Sequence, residues 1–286
     1  MKYGINTLLW TAGFDRSHLD LLPRFREWGF DGVEIARFEF DSFPAADARR
    51  AAEAAGLKTV FCSALTGDLS IVSDDAGVRQ RALAFVRRGI EVAAEIGADT
   101  FVGPYCAPVG YLPGRRRTGD EWKRAVEGLA SLGPVLNANG VTLAVEPLNR
   151  FETYFLNTAA DAVRLCEEVG HERVGILFDT FHANIEEKNI SRALESCGKW
   201  VRHVHTCEND RGIPGSGHVE WTEVLPALRR MNYDRWAVIE SFGSNIPEIA
   251  AAACIWRDLA PSSDAIAAEG LRFLKSHASG SVASGA

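Results

Sequence analysis

The sequence predicts an α/β protein built as one (β/α)8 TIM barrel, a single domain with an extra C-terminal helix. Three observations carry that expectation. Eight short apolar runs recur along the 286 residues, at 2–10, 31–37, 58–65, 99–105, 141–147, 174–180, 201–207 and 235–241. Segments of helical character follow them, at 18–28, 44–55, 76–96, 119–139, 158–169, 189–197, 220–231 and 246–258. The last four runs each bring a metal-ligand side chain to their ends. Strand and helix in alternation imply a parallel sheet, and eight such units imply closure.

Each element has its own warrant. Runs such as VTLAV, VGILF and WAVI are apolar almost throughout rather than alternating. That pattern is expected of parallel strands covered on both faces. Many helical segments close on a glycine, as at Gly29, Gly56, Gly97, Gly140, Gly170 and Gly198. Glycine suits the left-handed backbone that ends a helix. A ninth helix, 262–277, is expected to pack on the barrel exterior. The barrel domain therefore spans 1–278, and the tail 279–286, without apolar periodicity, is expected to be disordered.

Composition narrows the class. Apolar residues make up 47% of the chain, enough for a barrel interior and a ring of helices. The formal net charge is −7, so no basic surface advertises nucleic acid. No stretch approaches a membrane span. Met1 runs straight into the first apolar run with no secretory leader pattern, and the six cysteines form no CxxC pair. A cytoplasmic location with reduced thiols is the expectation. Cys62, Cys106 and Cys207 fall on apolar runs and are read as packing residues.

Glu146 follows VTLAV, Asp179 follows VGILF, His205 ends VRHVH, and Glu240 follows WAVI. Barrel chemistry sits at the C-terminal strand ends. These four residues would lie on adjacent staves and face one point. Three carboxylates and one imidazole suit a hard or borderline divalent cation such as Mn²⁺, Mg²⁺ or Co²⁺. Any one of them alone would read as a solvated loop residue or an ion-pair partner. Four consecutive strand ends make coincidence a poor account.

The stretches EPLNRFETYFLNT, LFDTFHANIEE, HVH with ENDRGIPGSGHVEW, and IESF resemble the ketose 3-epimerases of the xylose isomerase-like barrels. That family includes D-tagatose, D-allulose (psicose) and L-ribulose 3-epimerases, and the resemblance runs from GINTLLW to IWRDL. It implies reversible inversion at C3 of a free ketose with a divalent metal, usually Mn²⁺. It implies that Glu146 and Glu240 are both metal ligands and acid/base groups, with Asp179 and His205 completing the ligand set. It implies further that Glu152, His182 and Arg211 bind substrate. A C3 proton next to a C2 ketone is a weak acid. A metal on O2 and O3 lowers the cost of the cis-enediolate, and inversion needs two carriers on opposite faces. Relatives of this kind are often homodimers or homotetramers.

Other residues are read more plainly. Glu34, inside the second strand, is expected in an interior polar layer, and His203, on the same side of its strand as His205, deeper in the barrel below the metal in a structural hydrogen-bonding role. His218 is considered for the rim of the site. Asn6, Trp10, Ser63, Leu65 and Tyr105 are candidates for the pocket that holds the far end of the sugar. Arg115, Arg116 and Arg117 either grip a terminal phosphate or face solvent. Trp256 is expected beneath the last helix. Rival functions on the same barrel are an aldose–ketose or hydroxypyruvate-type isomerase and an inosose-type dehydratase. A metal-dependent DNA-repair endonuclease would need a basic face and more histidines. A non-catalytic sugar-binding protein would not need two opposed carboxylates.

Overall fold

Eight parallel strands hydrogen-bond in chain order, and the eighth returns to the first to close a barrel. They are β1 (Lys2–Asn6), β2 (Gly32–Ala36), β3 (Lys58–Cys62), β4 (Thr100–Gly103), β5 (Thr142–Val145), β6 (Val174–Asp179), β7 (Val201–His205) and β8 (Trp236–Ile239). The computed structural model describes residues 1–278, so the tail expected at 279–286 lies outside the described residues.

Side-chain alternation along the strands divides the apolar residues into two layers. Val60, Cys62, Val102, Ala144, Leu177, Trp236 and Val238 form a cluster inside the barrel. Ile5, Val33, Ile35, Phe61, Phe101, Leu143, Ile176, Val204 and Ile239 belong to the larger core shared with the helices. Near the barrel floor the Trp236 indole crosses to β2. A Cβ on Gly32 would stand 2.4 Å from its ring and 2.6 Å from the Lys58 carbonyl, so only glycine fits there.

The helices are α1 (Leu21–Trp28), α2 (Ala45–Ala54), α3 (Ala76–Glu95), α4 (Gly119–Ala130), α5 (Gly133–Asn139), α6 (Ala159–Val169), α7 (Thr180–Glu186), α8 (Ile190–Cys197), α9 (Trp221–Arg230), α10 (Pro247–Ala252) and α11 (Ser263–Ala278). The six glycines expected at helix ends all have positive φ, from 51° at Gly198 to 96° at Gly29. Side-chain caps begin several helices: Asp75 for α3, Thr118 with Glu121 for α4, Thr158 for α6 and Asn189 for α8.

Several expected boundaries move, and one helix is new. The helix expected at 119–139 is two, because Pro134 in the first turn of α5 has no N–H to continue the α4 ladder. The first strand stops at Asn6, whose side chain accepts the Leu8 N–H and starts a 3-10 turn. The helix expected at 246–258 ends at Ala252, and Cys254 beyond it has φ 54°. Helix α7 was not expected. It starts directly off β6 because Asp179 caps it, accepting the Phe181 N–H.

Candidate metal and active site

The ends of β5 to β8 converge as the barrel model requires. Glu146, Asp179, His205 and Glu240 are all buried, and one ligand atom from each lies within 4.8 Å of every other. His205 Nδ1 is 3.2 Å from Glu240 Oε2 and 3.8 Å from both Glu146 Oε1 and Asp179 Oδ2. Asp179 divides its two oxygens. Oδ1 caps α7 through the Phe181 N–H at 2.7 Å, and Oδ2 faces the cluster.

The donor set fits a divalent cation on an observation of its own. Glu146 Oε1 and His205 Nδ1 are buried and lack a hydrogen-bond partner, and both point into the cluster. A buried polar atom normally has a partner, and these two lie together among the clustered ligands. Three carboxylate oxygens and one imidazole nitrogen form the set that Mn²⁺, Co²⁺ or Mg²⁺ accepts.

The electrostatics show the strain of packing these acids together. Burial, then Glu240, pushes the Glu146 carboxyl well above the usual carboxylate range. Burial also works against an ionised Asp179, but Arg211 and then His205 outweigh it and hold Asp179 low. Burial opposes a charged His205, yet Glu240 and Glu34 raise it well above the ordinary histidine value.

A deeper polar layer lies beneath the cluster. Glu34 is fully buried, with Oε1 2.9 Å from His205 Nε2 and Oε2 2.7 Å from His203 Nε2. Asn6 Nδ2 donates to the same Oε1 at 2.7 Å. The two histidines outweigh the cost of burial and keep Glu34 ionised.

The three residues expected to bind substrate stand on the rim of the same cavity. That cavity measures about 340 Å³ and is lined by Glu146, Glu152, His182, Arg211 and Glu240, among others. Arg211 Nη1 donates to Asp179 Oδ2 at 2.8 Å and to Glu240 Oε2 at 2.9 Å. Its guanidinium lies between the rings of Phe181 and Phe242, at 4.1 and 4.7 Å from their centroids. His182 Nε2 is 3.6 Å from Glu146 Oε1.

Two organising residues were missed by sequence reasoning. Asn149, in EPLNRFE, gives its backbone N–H to His182 Nδ1 at 3.1 Å and its amide to Glu152 at 2.7 Å. Glu208, in ENDRG, is fully buried and accepts from the backbone of Asn209, Gly215 and Val219 and from the Trp221 indole, at 2.8–3.1 Å. It holds closed the loop that carries Arg211, whose φ is 66°. The signal available was the position of each acid or amide within a polar motif, with nothing to say that it served the backbone.

Other expected residues fall elsewhere. Ser63 lines the cavity, whereas Leu65 and Tyr105 are buried in the core and Asn6 is occupied by Glu34 and Glu240. Trp10 borders a second cavity of about 420 Å³, toward residues 243–245 and 258–264. That cavity is larger but holds none of the four clustered ligands, so the chemistry selects the smaller one. Arg115 pairs with Glu121 at 2.8 Å and Arg117 with Asp161 at 2.8 Å; neither these nor Arg116 line the site. His218 is exposed, and Trp256, expected beneath the last helix, is 77% exposed because α10 ends before it.

The cavity wall is divided between the two halves of the barrel. Loops after β1 to β4 contribute mainly apolar groups, including Leu8, Phe38, Ala64, Pro104 and Val109. Those after β5 to β8 contribute the charged groups Glu146, Glu152, Arg211, Glu240 and Glu248 with His182, and also the apolar Leu148, Phe181, Phe242 and Ile249.

A closed parallel barrel with acids and a histidine at consecutive strand ends defines a class, and comparison with known proteins agrees. The family model described as xylose isomerase-like TIM barrel matches residues 22–277, and the chain belongs to that family. A Synechocystis sp. protein named "Probable ketose 3-epimerase" is 36% identical over 275 residues, covering 96% of each chain. The D-psicose 3-epimerase of Agrobacterium fabrum is 31% identical, over 92% of this chain and 93% of its own. A solved L-ribulose 3-epimerase superposes with a TM-score of 0.92 at 28% identity, over 97% of this chain and 94% of that one. Within the barrel family, the chain is a member of the ketose 3-epimerases, and so an isomerase.

Proposed function

We propose that this chain inverts C3 of a free ketose with the help of a divalent cation, Mn²⁺ by preference, with Co²⁺ or Mg²⁺ as substitutes. The observation that carries the reading is that Glu146 and Glu240 face one cavity while also closing on Asp179 and His205 within 4.8 Å. Relatives named D-psicose and L-ribulose 3-epimerase supply the substrate class. Glu146, Asp179, His205 and Glu240 would hold the cation, which would supply Lewis acidity to stabilise the enediolate.

The chain's own residues carry the proton. One of the two glutamates takes the C3 proton, and the C–H electron pair moves toward the C2 carbonyl oxygen. The cis-enediolate so formed receives a proton on its other face from the second glutamate, leaving the opposite configuration at C3. Glu146 is placed for proton transfer, its carboxyl raised above the usual carboxylate range by burial and Glu240. Arg211, His182 and Glu152 orient the sugar's oxygens along the rim. With Arg115 and Arg117 committed to acids outside the cavity, a terminal phosphate has no dedicated cation, which favours the free sugar.

The test is solvent exchange. With Mn²⁺ in D₂O, D-psicose or D-fructose should gain one deuterium at C3 and interconvert. Deuterium at C1 or C2 with an aldose product would point to an aldose–ketose isomerase instead. Binding without exchange would leave a sugar-binding protein. We also assign the chain to the cytoplasm and to a homodimer or homotetramer. Light scattering of the purified protein tests the assembly and fractionation of its native cells the location. Among the described residues no helix is long and apolar enough to cross a membrane.

A further inference from the structure

Glu34 belongs to no part of the proposed reaction. It is fully buried below the cavity, and an isolated buried carboxylate is costly. Yet both its oxygens are committed. Oε1 receives Asn6 Nδ2 at 2.7 Å and lies 2.9 Å from His205 Nε2, and Oε2 lies 2.7 Å from His203 Nε2. The partners come from β1 and β7, while Glu34 itself stands on β2 in register with Asn6. The carboxylate thus spans the barrel interior, held through Oε1 by Asn6 and His205 and at Oε2 by a close ion-pair contact with His203 that lacks hydrogen-bond geometry. The His205 ring is gripped on its far edge, and its other nitrogen, Nδ1, is buried without a hydrogen-bond partner and faces Glu240, Glu146 and Asp179.

We propose that Glu34 is a positioning residue for metal binding: it takes the Nε2–H of His205, and so fixes the ring and leaves Nδ1 as the bare donor toward a divalent cation. His203 and Asn6 serve the same end by keeping the Glu34 carboxylate from rotating. A carboxylate behind a ligating imidazole also makes the ring a stronger donor, and losing such a partner typically weakens metal affinity about 10–100-fold. This inference rests on the metal reading of the site.

The experiment measures Mn²⁺ dissociation constants by the electron paramagnetic resonance of free Mn²⁺, for wild type and Glu34→Gln. Thermal melts of both chelator-treated proteins accompany it. The near-isosteric amide should weaken Mn²⁺ binding about 10–100-fold, beyond any change in the metal-free melting temperature. An equal dissociation constant, with only the metal-free protein destabilised, would show Glu34 to be a polar plug and overturn the proposal. Should the variant not fold, the wild type decides. With saturating Mg²⁺, long-range ¹H–¹⁵N spectra should put the His205 proton on Nε2 and none on Nδ1; a proton on Nδ1 overturns the proposal. A wild type that takes up no Mn²⁺ would remove the metal reading, and this inference with it, whereas equal affinity in Glu34→Gln removes this inference alone.

Discussion

His182 Nδ1 receives the backbone N–H of Asn149 at 3.1 Å, while Nε2 faces the acid cluster 3.2 Å from Arg211 Nη2. Burial lowers the His182 pKa and keeps the ring neutral. It is therefore a fixed, neutral hydrogen-bonding group at the cavity edge.

The Asn149 side chain should matter for sugar binding and not for metal. Asn149→Ala removes the amide bond to Glu152, the amide contact with His182 Nδ1 and the acceptor of the Phe151 N–H, but keeps the backbone bond to His182. A hydrogen bond to a charged group is worth about 1.5–3 kcal/mol, so KM should rise about tenfold with kcat nearly unchanged. Steady-state kinetics beside metal analysis checks this; loss of bound metal would contradict it.

Chelation should abolish activity, and Mn²⁺ or Co²⁺ should restore it. A ligand that binds only the native state raises stability by mass action, by about 2.7 kcal/mol at one hundred times its dissociation constant. The melting temperature should accordingly climb with Mn²⁺ concentration. Full activity in a verified metal-free preparation would remove the hypothesis.

Glu240→Gln should leave the fold intact and lower kcat by about 10²–10⁴-fold, the usual worth of a proton carrier. Arg211→Ala and Glu152→Gln should instead impair substrate handling more than metal retention. Metal content and kinetics for each variant separate the roles. A Glu152 variant that purifies without metal, beside a Glu146 variant that keeps it, would reverse the assignment of the two acids in EPLNRFE.

Replacing Arg115, Arg116 and Arg117 together by Ala should leave the preference between a ketose and its terminal phosphate unchanged, because none of the three lines the cavity. The change should cost stability through the lost pairs with Glu121 and Asp161. A phosphate preference in the wild type that disappears in the variant would sink the free-sugar assignment and leave the C3 chemistry standing.

Glu121 offers a pH test away from the site. Its hydrogen bonds with Arg115, helped by the Thr118 N–H and the Tyr154 hydroxyl, outweigh desolvation and lower its pKa from 4.5 to about 2. A depressed folded-state value means stability that is present above about pH 4.5 and lost as pH falls through about 2. Glu121→Gln should therefore melt below wild type at pH 7, with the gap narrowing from pH 4.5 downward. A gap that stays constant to pH 3 would assign the effect to packing.

The eight strands were legible because two-sided burial leaves runs like VGILF with almost no polar interruption. The clustered ligands were legible for the same reason, since each stands where such a run stops. Helix α7 was not, because its N-cap is Asp179 itself and no turn residues separate it from β6. The pocket wall was only partly legible. Side-chain alternation fixes which way Val60 or Phe61 points, but that rule lapses once the chain leaves the strand, as at Leu65 and Tyr105. Asn149 and Glu208 serve backbone N–H groups, and a loop residue with that task has no periodicity to announce it.

The split cavity wall bears on how such an enzyme changes over time. The groups that move protons hang from the later half of the barrel, and the wall that the earlier half adds carries no charged group. Mutation at Phe38, Ala64 or Val109 can redraw the guest list while the reaction stays the same. Divergence of relatives toward different sugars needs no reinvention of chemistry, and a directed library confined to those loops should yield altered preferences with the deuterium exchange at C3 preserved.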